Sequence, residues 1–258
     1  MYFLLTNDDG LDAPGLAAMW KALGGPASGV AVAPSAEQSG ASHSLTMKDV
    51  IRVHQRGEGR WAVDGTPVDS VYLALHKLCR QRPTIVVSGI NRGANLGDDV
   101  FYSGTVGAAR EAALNGVASL AVSLDLAPFG QGPSGPHFDT AAALAMQVVE
   151  QMRQHPLPAN TFLNLNVPNC QLSDVTGIEI CSVGRRHYDP EVESRLDPRG
   201  GEYFWIGGTP ISDQMDPGTD GWWISRGAAT LSLLGLENSA PNFQEHLRAW
   251  TLKAPTRG

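Results

Sequence analysis

Thiols are scarce in this chain. The three cysteines, Cys79, Cys170 and Cys181, lie far apart and form no C-x-x-C pair, so neither a disulfide framework nor a thiolate zinc site is expected. Charge is thin as well: 17% of residues are charged, and 19 Lys and Arg face 26 Asp and Glu for a net charge of −7. A broad surface for nucleic-acid duplex is therefore not expected, although a local basic pocket is compatible with this balance. No apolar run reaches membrane-spanning length. Met1-Tyr2-Phe3-Leu4-Leu5 leads straight into Asp8 and Asp9, with no basic region and no sustained apolar stretch. The expectation is a cytoplasmic protein with no signal peptide and no membrane partner.

What is present supports a substantial core. Hydrophobic residues make up 42% of 258, and 29 Gly and 17 Pro imply many tight connections. Short apolar segments alternate with longer helical ones. Tyr2–Thr6 reads as a buried strand, and Asp12-Ala13-Pro14 opens a helix through Leu23 with Asp12 as its cap. Strands follow at Val30–Ala33, Thr84–Val87, Val117–Ser123 and Thr161–Val167. Helices follow at Val68–Leu78, Thr105–Leu114 and Asp139–Arg153, and Thr66-Pro67-Val68-Asp69 has capping-box spacing. This alternation predicts an α/β fold, a Rossmann-like, mostly parallel sheet with helices on both faces, over residues 1–168. Residues 169–258 read differently: a polar, Gly- and Pro-rich β-hairpin excursion with a strand at Tyr203–Ile206, then a returning strand at Ala228–Leu236 and a closing helix at Phe243–Leu252. Trp205, Trp222 and Trp223 suit either an oligomer interface or the local core.

In an open parallel sheet, ligands bind beyond the carboxyl ends of the strands. The residues that follow the predicted strands are nearly all oxygen-bearing: Asn7, Asp8, Asp9 and Gly10; Glu37, Gln38 and Ser39; Ser88, Gly89, Asn91, Asn95, Asp98, Asp99, Ser103, Gly104 and Thr105. Adjacent carboxylates at Asp8 and Asp9 repel, and a divalent cation is the simplest compensation. Oxygen donors without Cys or a His cluster favour Mg²⁺ or Mn²⁺ over zinc; a solvated turn is the plain alternative for Asp-Asp-Gly. Ser103-Gly104-Thr105 opens a helix, so it reads either as an ordinary cap or as an anion site. Beside a cation, the second reading places a phosphate between the two. Asp98-Asp99 reads as further metal ligands, a solvated loop or a contact orienting Asn95. His43 is read as a satisfied loop histidine or a proton-transfer aid, and Arg185, Arg186 and His187 as an anion contact or solvated surface.

Several long stretches carry a resemblance. Phe3 to Leu16 (FLLTNDDGLDAPGL), Ala33-Pro34-Ser35, Gln38 to Thr46 (QSGASHSLT), Gly65 to Val71 (GTPVDSV) and Val87 to Glu111 (VSGINRGANLGDDVFYSGTVGAARE) resemble, in order, the signature segments of the survival protein E (SurE) nucleotidases. Asn164-Leu165-Asn166-Val167-Pro168 and Thr219-Asp220 continue the likeness. The resemblance implies a phosphatase of nucleoside 5′- and 3′-monophosphates that uses one Mg²⁺ or Mn²⁺ per subunit. Carried over by position, it implies Asp8, Asp9, Ser39 and Asn91 as metal ligands, and Asn95, Ser103, Gly104 and Thr105 around the phosphate. It also implies homodimers or homotetramers that exchange C-terminal arms.

The reading is phosphomonoester hydrolysis of nucleoside monophosphates, with Asp8 or Asp9 also placed to accept a proton from water. One rival is a calcium-dependent nucleoside hydrolase, which would release ribose instead of phosphate. The other is a nucleotide-binding oligomeric module without turnover.

Overall fold

The computed structural model of the chain describes residues 1–126, 135–186, 188, 189, 191–208, 215–237 and 250. The strands are β1 (Phe3–Thr6), β2 (Gly29–Pro34), β3 (Val53–Gly57), β4 (Arg60–Val63), β5 (Ile85–Arg92), β6 (Ala118–Asp125), β7 (Thr161–Pro168), β8 (Ile178–Ile180), β9 (Glu191–Leu196), β10 (Glu202–Gly207) and β11 (Ala229–Gly235). The helices are α1 (Pro14–Ala22), α2 (Pro67–Leu73), α3 (Gly104–Leu114), α4 (Phe138–Gln154) and α5 (Asp220–Ile224). A nine-stranded sheet has the order β3-β4-β2-β1-β5-β6-β7-β11-β8, and β9 and β10 form a separate hairpin. From β4 to β7 every neighbouring pair is parallel. Strand β11 then returns antiparallel to β7, and β8 lies parallel to β11.

Alternation within each central strand explains why these strands read as continuous apolar runs. Phe3, Leu5, Ile85 and Val87 point to one face and pack with Leu16 and Met19 of α1 and Leu144 and Val148 of α4. Leu4, Val86, Val30 and Val32 point to the other, against Val71 of α2 and Ala108 and Ala112 of α3. Both faces are covered, so no polar repeat is needed. The chain runs outward from β1 through β2 to β4, then restarts at β5 on the other side of β1. The reversal point is therefore the crevice between the carboxyl ends of β1 and β5, where an α/β sheet opens to a ligand.

Several expectations are refined. Thr66 caps α2 through the full capping box, its Oγ1 accepting the Asp69 N–H while the Asp69 carboxylate accepts the Thr66 N–H. The helix stops at Leu73, and Ala74–Leu78 continues as a π-turn. Asp12 is not the cap of α1: Ala13 occupies that position without a side-chain hydrogen bond, and Asp12 instead pairs with Arg60 at 3.0 Å. Strand β5 runs past Val87 to Arg92, and the Gly89 φ of +141° and a shift in pairing with β6 after Ser88 break the strand signal there. The β3–β4 hairpin went unread because its first strand is almost wholly exposed and polar. The excursion holds one hairpin, β9–β10, while β8 and α5 stay with the main body. Trp222 and Trp223 are half-buried and pack edge to face, whereas Trp205 is exposed on β10. Apart from Trp250, the residues of the expected Phe243–Leu252 helix lie outside the described residues, as does His187. Among the described residues no helix is long and apolar enough to cross a membrane.

Candidate metal and phosphate site

The turn after β1 divides its labour. Asn7 is fully buried and closes the turn on itself, Nδ2 donating to the Gly10 carbonyl (3.0 Å) and Oδ1 accepting the Gly10 N–H (3.2 Å). Asp8 and Asp9 are left to face outward chemistry. The loop after β2 folds back over them, with the Gln38 N–H donating to the Asp8 carbonyl at 2.8 Å. That brings Ser39, 31 positions further along the chain, to the same edge.

Asp8 is buried, 4% exposed, and meets the start of α3. The Thr105 N–H donates to Asp8 Oδ2 at 3.1 Å, and the Thr105 hydroxyl donates to Oδ1. Glycine at 104 makes this approach possible, since a Cβ there would sit 2.9 Å from the Asp8 Cβ. Burial pushes the Asp8 acid up to about 6; the Thr105 bonds oppose this and the Asp9 charge adds to it. Asp9, half-buried, is also raised by desolvation, although its Oδ2 accepts the Arg92 N–H at 3.0 Å. Neither carboxylate forms a salt bridge with Lys, Arg or His among the described residues, although the Arg92 charge offsets part of the rise at Asp9. Two neighbouring desolvated acids with so little counter-charge are electrostatically costly, and a cation would relieve that cost.

A cleft of about 230 Å³ opens here, lined by Asp8, Ser39, Asn91, Asn95, Ser103 and Tyr188 among others. The structure thus gathers Asp8, Ser39 and Asn91 of the expected metal set with Asn95 and Ser103 of the expected phosphate set, while Asp9, Gly104 and Thr105 do not line this cleft. Asn91 gives its Nδ2 to the Gly93 carbonyl at 2.8 Å, which leaves Oδ1 as the atom that could serve a cation. Ser39 is exposed and donates to Glu37 Oε1 at 2.8 Å. Among the described residues no three His, Cys, Asp or Glu side chains cluster as a metal site. The donors here are instead two carboxylates, an amide and a hydroxyl, a set that fits a hard divalent cation. Asp9 borders an adjoining cleft of about 380 Å³ with Glu37, Pro14 and Phe138; Ser39 and Arg92 line both.

The expected anion side lies at the first turn of α3. Ser103 Oγ accepts the Val106 N–H at 3.1 Å, and the Ser103 carbonyl accepts that of Gly107. The Thr105 N–H is held by Asp8, and Gly104 supplies the first backbone N–H of the helix. Asn95 is buried, its Nδ2 donating to Ser123 Oγ at 2.7 Å. Its N–H donates to Asn166 Oδ1, while its carbonyl accepts from Asn164 and Asn166.

Thr105 therefore stands on Asp8 and is fully buried, so its hydroxyl is a support for the acid rather than part of the cleft wall. Asp98 and Asp99 are both paired, although Asp98 stays partly exposed. Arg185 pairs with Asp98 at 3.3 Å, and Arg186 Nη1 and the Tyr188 hydroxyl both donate to Asp99. The arginines meet these aspartates instead of an anion or water alone. His43 is satisfied by Glu111 at 2.8 Å. Asn164, Asn166 and Asp220 were not read as positioning groups. Asp220 is buried and accepts the Gly97 N–H (2.9 Å) and the Gly184 N–H (2.8 Å), tying the β5–α3 loop to the C-terminal segment. Their only sequence signal was presence within the segments that carry the family likeness.

The profile of the family described as survival protein SurE matches residues 3–190. The 5′-nucleotidase SurE of Citrifermentans bemidjiense is 43% identical over 252 residues, covering 98% of this chain and 100% of that protein. The 5′-nucleotidase SurE of Geobacter sulfurreducens is 42% identical over 255 residues, covering 98% of this chain and 95% of that one. The crystal structure of the SurE protein from Aquifex aeolicus superposes with a TM-score of 0.82 at 33% identity, covering 96% of this chain and 98% of that chain. With the profile spanning most of its length and relatives matched nearly end to end, the chain belongs to the survival protein SurE family.

Proposed function

We propose that this protein is a 5′-nucleotidase, a metal-dependent phosphomonoesterase that converts nucleoside 5′-monophosphates, and 3′-monophosphates with them, to nucleoside and inorganic phosphate. The observation that carries it is the buried Asp8 beside Asp9, two desolvated acids with no salt bridge among the described residues, at the β1–β5 crevice and against the start of α3. The names of the relatives, 5′-nucleotidase SurE, support the same reaction.

In this reading Asp8, Asp9, Ser39 and Asn91 hold one Mg²⁺ or Mn²⁺. Bound there, the cation supplies Lewis-acid polarisation of a phosphoryl oxygen and a water of lowered pKa. Thr105 fixes the orientation of the Asp8 carboxylate with two donors, so little reorganisation accompanies reaction. The Gly104 N–H, the positive end of α3 and the side chains of Ser103 and Asn95 receive the phosphate oxygens. Asp9, more exposed than Asp8, is the acid open to accept a proton from the attacking water.

The exposed hairpin supports association with a second copy of the chain, as a dimer or tetramer. Phe204, Trp205, Ile206, Val192 and Leu196 place apolar surface in solvent that a partner arm would cover. The three thiols are free, as in a reducing cytoplasm.

The test is phosphate release from a panel of nucleoside monophosphates with Mn²⁺, with Mg²⁺ and with EDTA. Release that EDTA abolishes and metal restores is expected. Free ribose in place of phosphate would favour the nucleoside hydrolase, and nucleotide binding without release would favour the inactive module.

A further inference from the structure

The 230 Å³ cleft is small for a whole nucleotide, since pockets that enclose drug-sized ligands run from about 300 Å³ upward. A phosphate fills its polar floor, and the rest of the molecule must lie across the mouth. Two aromatic residues line that cleft: Tyr102, 70% exposed, just before the helix start, and Tyr188, 42% exposed. Among the lining residues Tyr188 alone comes from the C-terminal segment, 85 positions beyond Ser103. An apolar ring in water beside a phosphate site is a surface waiting for a flat partner.

Tyr188 is held in place there. Its hydroxyl donates to Asp99 Oδ1 at 2.6 Å, and the Arg186 guanidinium lies over its ring, 5.5 Å from the centroid. Arg186 is itself fixed by Asp99, which also receives the Leu96 N–H. Edge and one face of the ring are thus engaged, and its rotamer freedom is lost before any ligand arrives. This also gives Asp99 a purpose that neither metal binding nor solvation supplies.

We propose that Tyr188 is a specificity-determining residue of the nucleotidase: its ring, pinned by Asp99 and Arg186 at the cleft mouth, is the platform on which the nucleobase stacks while the phosphate enters toward Asp8 and Ser103. The proposal rests on the nucleotidase reading and names the part of the chain that recognises the base. A stacked ring favours nucleotides over base-free phosphate esters without choosing sharply among bases, because every base offers a π-face.

The experiment compares AMP with ribose 5-phosphate, the same ester and sugar without the base, in the full chain with Mn²⁺. Tyr188→Ala is expected to raise KM for AMP about tenfold, the low to middle range for loss of one base–aromatic stack, with kcat and the KM for ribose 5-phosphate nearly unchanged. Tyr188→Phe keeps the ring and loses only the Asp99 bond, so it recovers most of the AMP affinity. Because the side chain is partly exposed, both variants should unfold at the wild-type temperature. Equal losses on both substrates, or an unchanged KM for AMP, overturn the proposal while leaving the nucleotidase reading intact. A wild-type protein that releases phosphate from ribose 5-phosphate but from no nucleotide overturns both.

Discussion

The turn after β1 and the β9–β10 hairpin reverse each other's rules. In the first and the segments packed beside it, polar groups are buried: Asn7, Asp8, Asn95, Thr105 and Asn166 sit inside the fold, each satisfied by named partners. In the second, apolar groups are exposed: Ile206 is 90% exposed and Trp205 60%, on strands with no buried residue. Buried polarity is costly unless it does something, and exposed apolarity is costly unless something covers it. The first region therefore suits chemistry and, in the proposed reading, the second suits contact with another copy of the chain. Among the described residues, Arg185, Arg186 and Tyr188, just before the hairpin, dock on Asp98 and Asp99 at the cleft rim.

The largest effect should come from breaking the buried side of this contrast. Asp8→Asn or Asp9→Asn is expected to lower metal-dependent phosphate release by well over about 100-fold, the loss usual for partners one step further from a metal. Circular dichroism should stay unchanged. Activity that persists at wild-type level would remove the acids from the metal site.

A smaller effect is expected one step out. Thr105→Val preserves shape and the backbone donor but deletes the hydroxyl that orients Asp8. The half-saturating Mn²⁺ concentration should rise about tenfold, the lower end for a group that positions a metal ligand. The KM for nucleotide should move less. A change in the opposite order would return the Thr105 hydroxyl to the phosphate.

Smaller still is the pH response of the protein in EDTA. Burial lifts Asp8 from its ordinary 3.8 to about 6, so the folded chain prefers the protonated acid more than the unfolded chain does. The stabilisation is fully present below about pH 4 and is lost as pH rises through about 6. Between about pH 7.5 and about pH 5 the chelated protein should gain on the order of 1 kcal/mol from this group. Asp9, raised by the same burial, adds in the same direction. Asp8→Asn should flatten most of the slope, and a slope of opposite sign would mean that the acids are not desolvated.

The two regions were unequally legible in the sequence. Strand ends announce themselves, because an apolar run followed by polar residues is a local signal and a parallel sheet gathers those ends at one edge. Asp8, Ser39, Asn91 and Ser103 could be grouped in this way before any contact was known. The Thr66–Asp69 capping box was legible for the same reason, its partners being three positions apart. What stayed hidden are pairings with no period. The bond between Thr105 and Asp8 spans 97 positions, and that between Tyr188 and Asp99 spans 89. Asn164 and Asn166 gave no hint that both would hold the carbonyl of Asn95. A hydroxyl before a helix looks alike whether it faces a ligand or braces a carboxylate. Only the fold separates these two uses, and here it assigns Ser103 to the cleft and Thr105 to the brace.

The smallest expected effect on stability sharpens the exposed side. Trp205 lies on β10 opposite Glu193 of β9, with most of its surface in solvent. Trp205→Ser removes apolar area that the single chain leaves mostly in solvent, so the folding free energy should change by no more than about 0.5 kcal/mol, as for ordinary surface positions. The same change made in a packed core would be severe, because a large void would open there. If the hairpin joins copies of the chain, the variant should dissociate at concentrations where the parent stays associated, read as mass by light scattering across a dilution series. Unaltered mass with unaltered stability would leave Trp205 without a partner and place assembly on another surface. A large loss of stability in the isolated subunit would mean instead that the arm folds back on its own chain, and the division between a region for chemistry and a region for contact would fail.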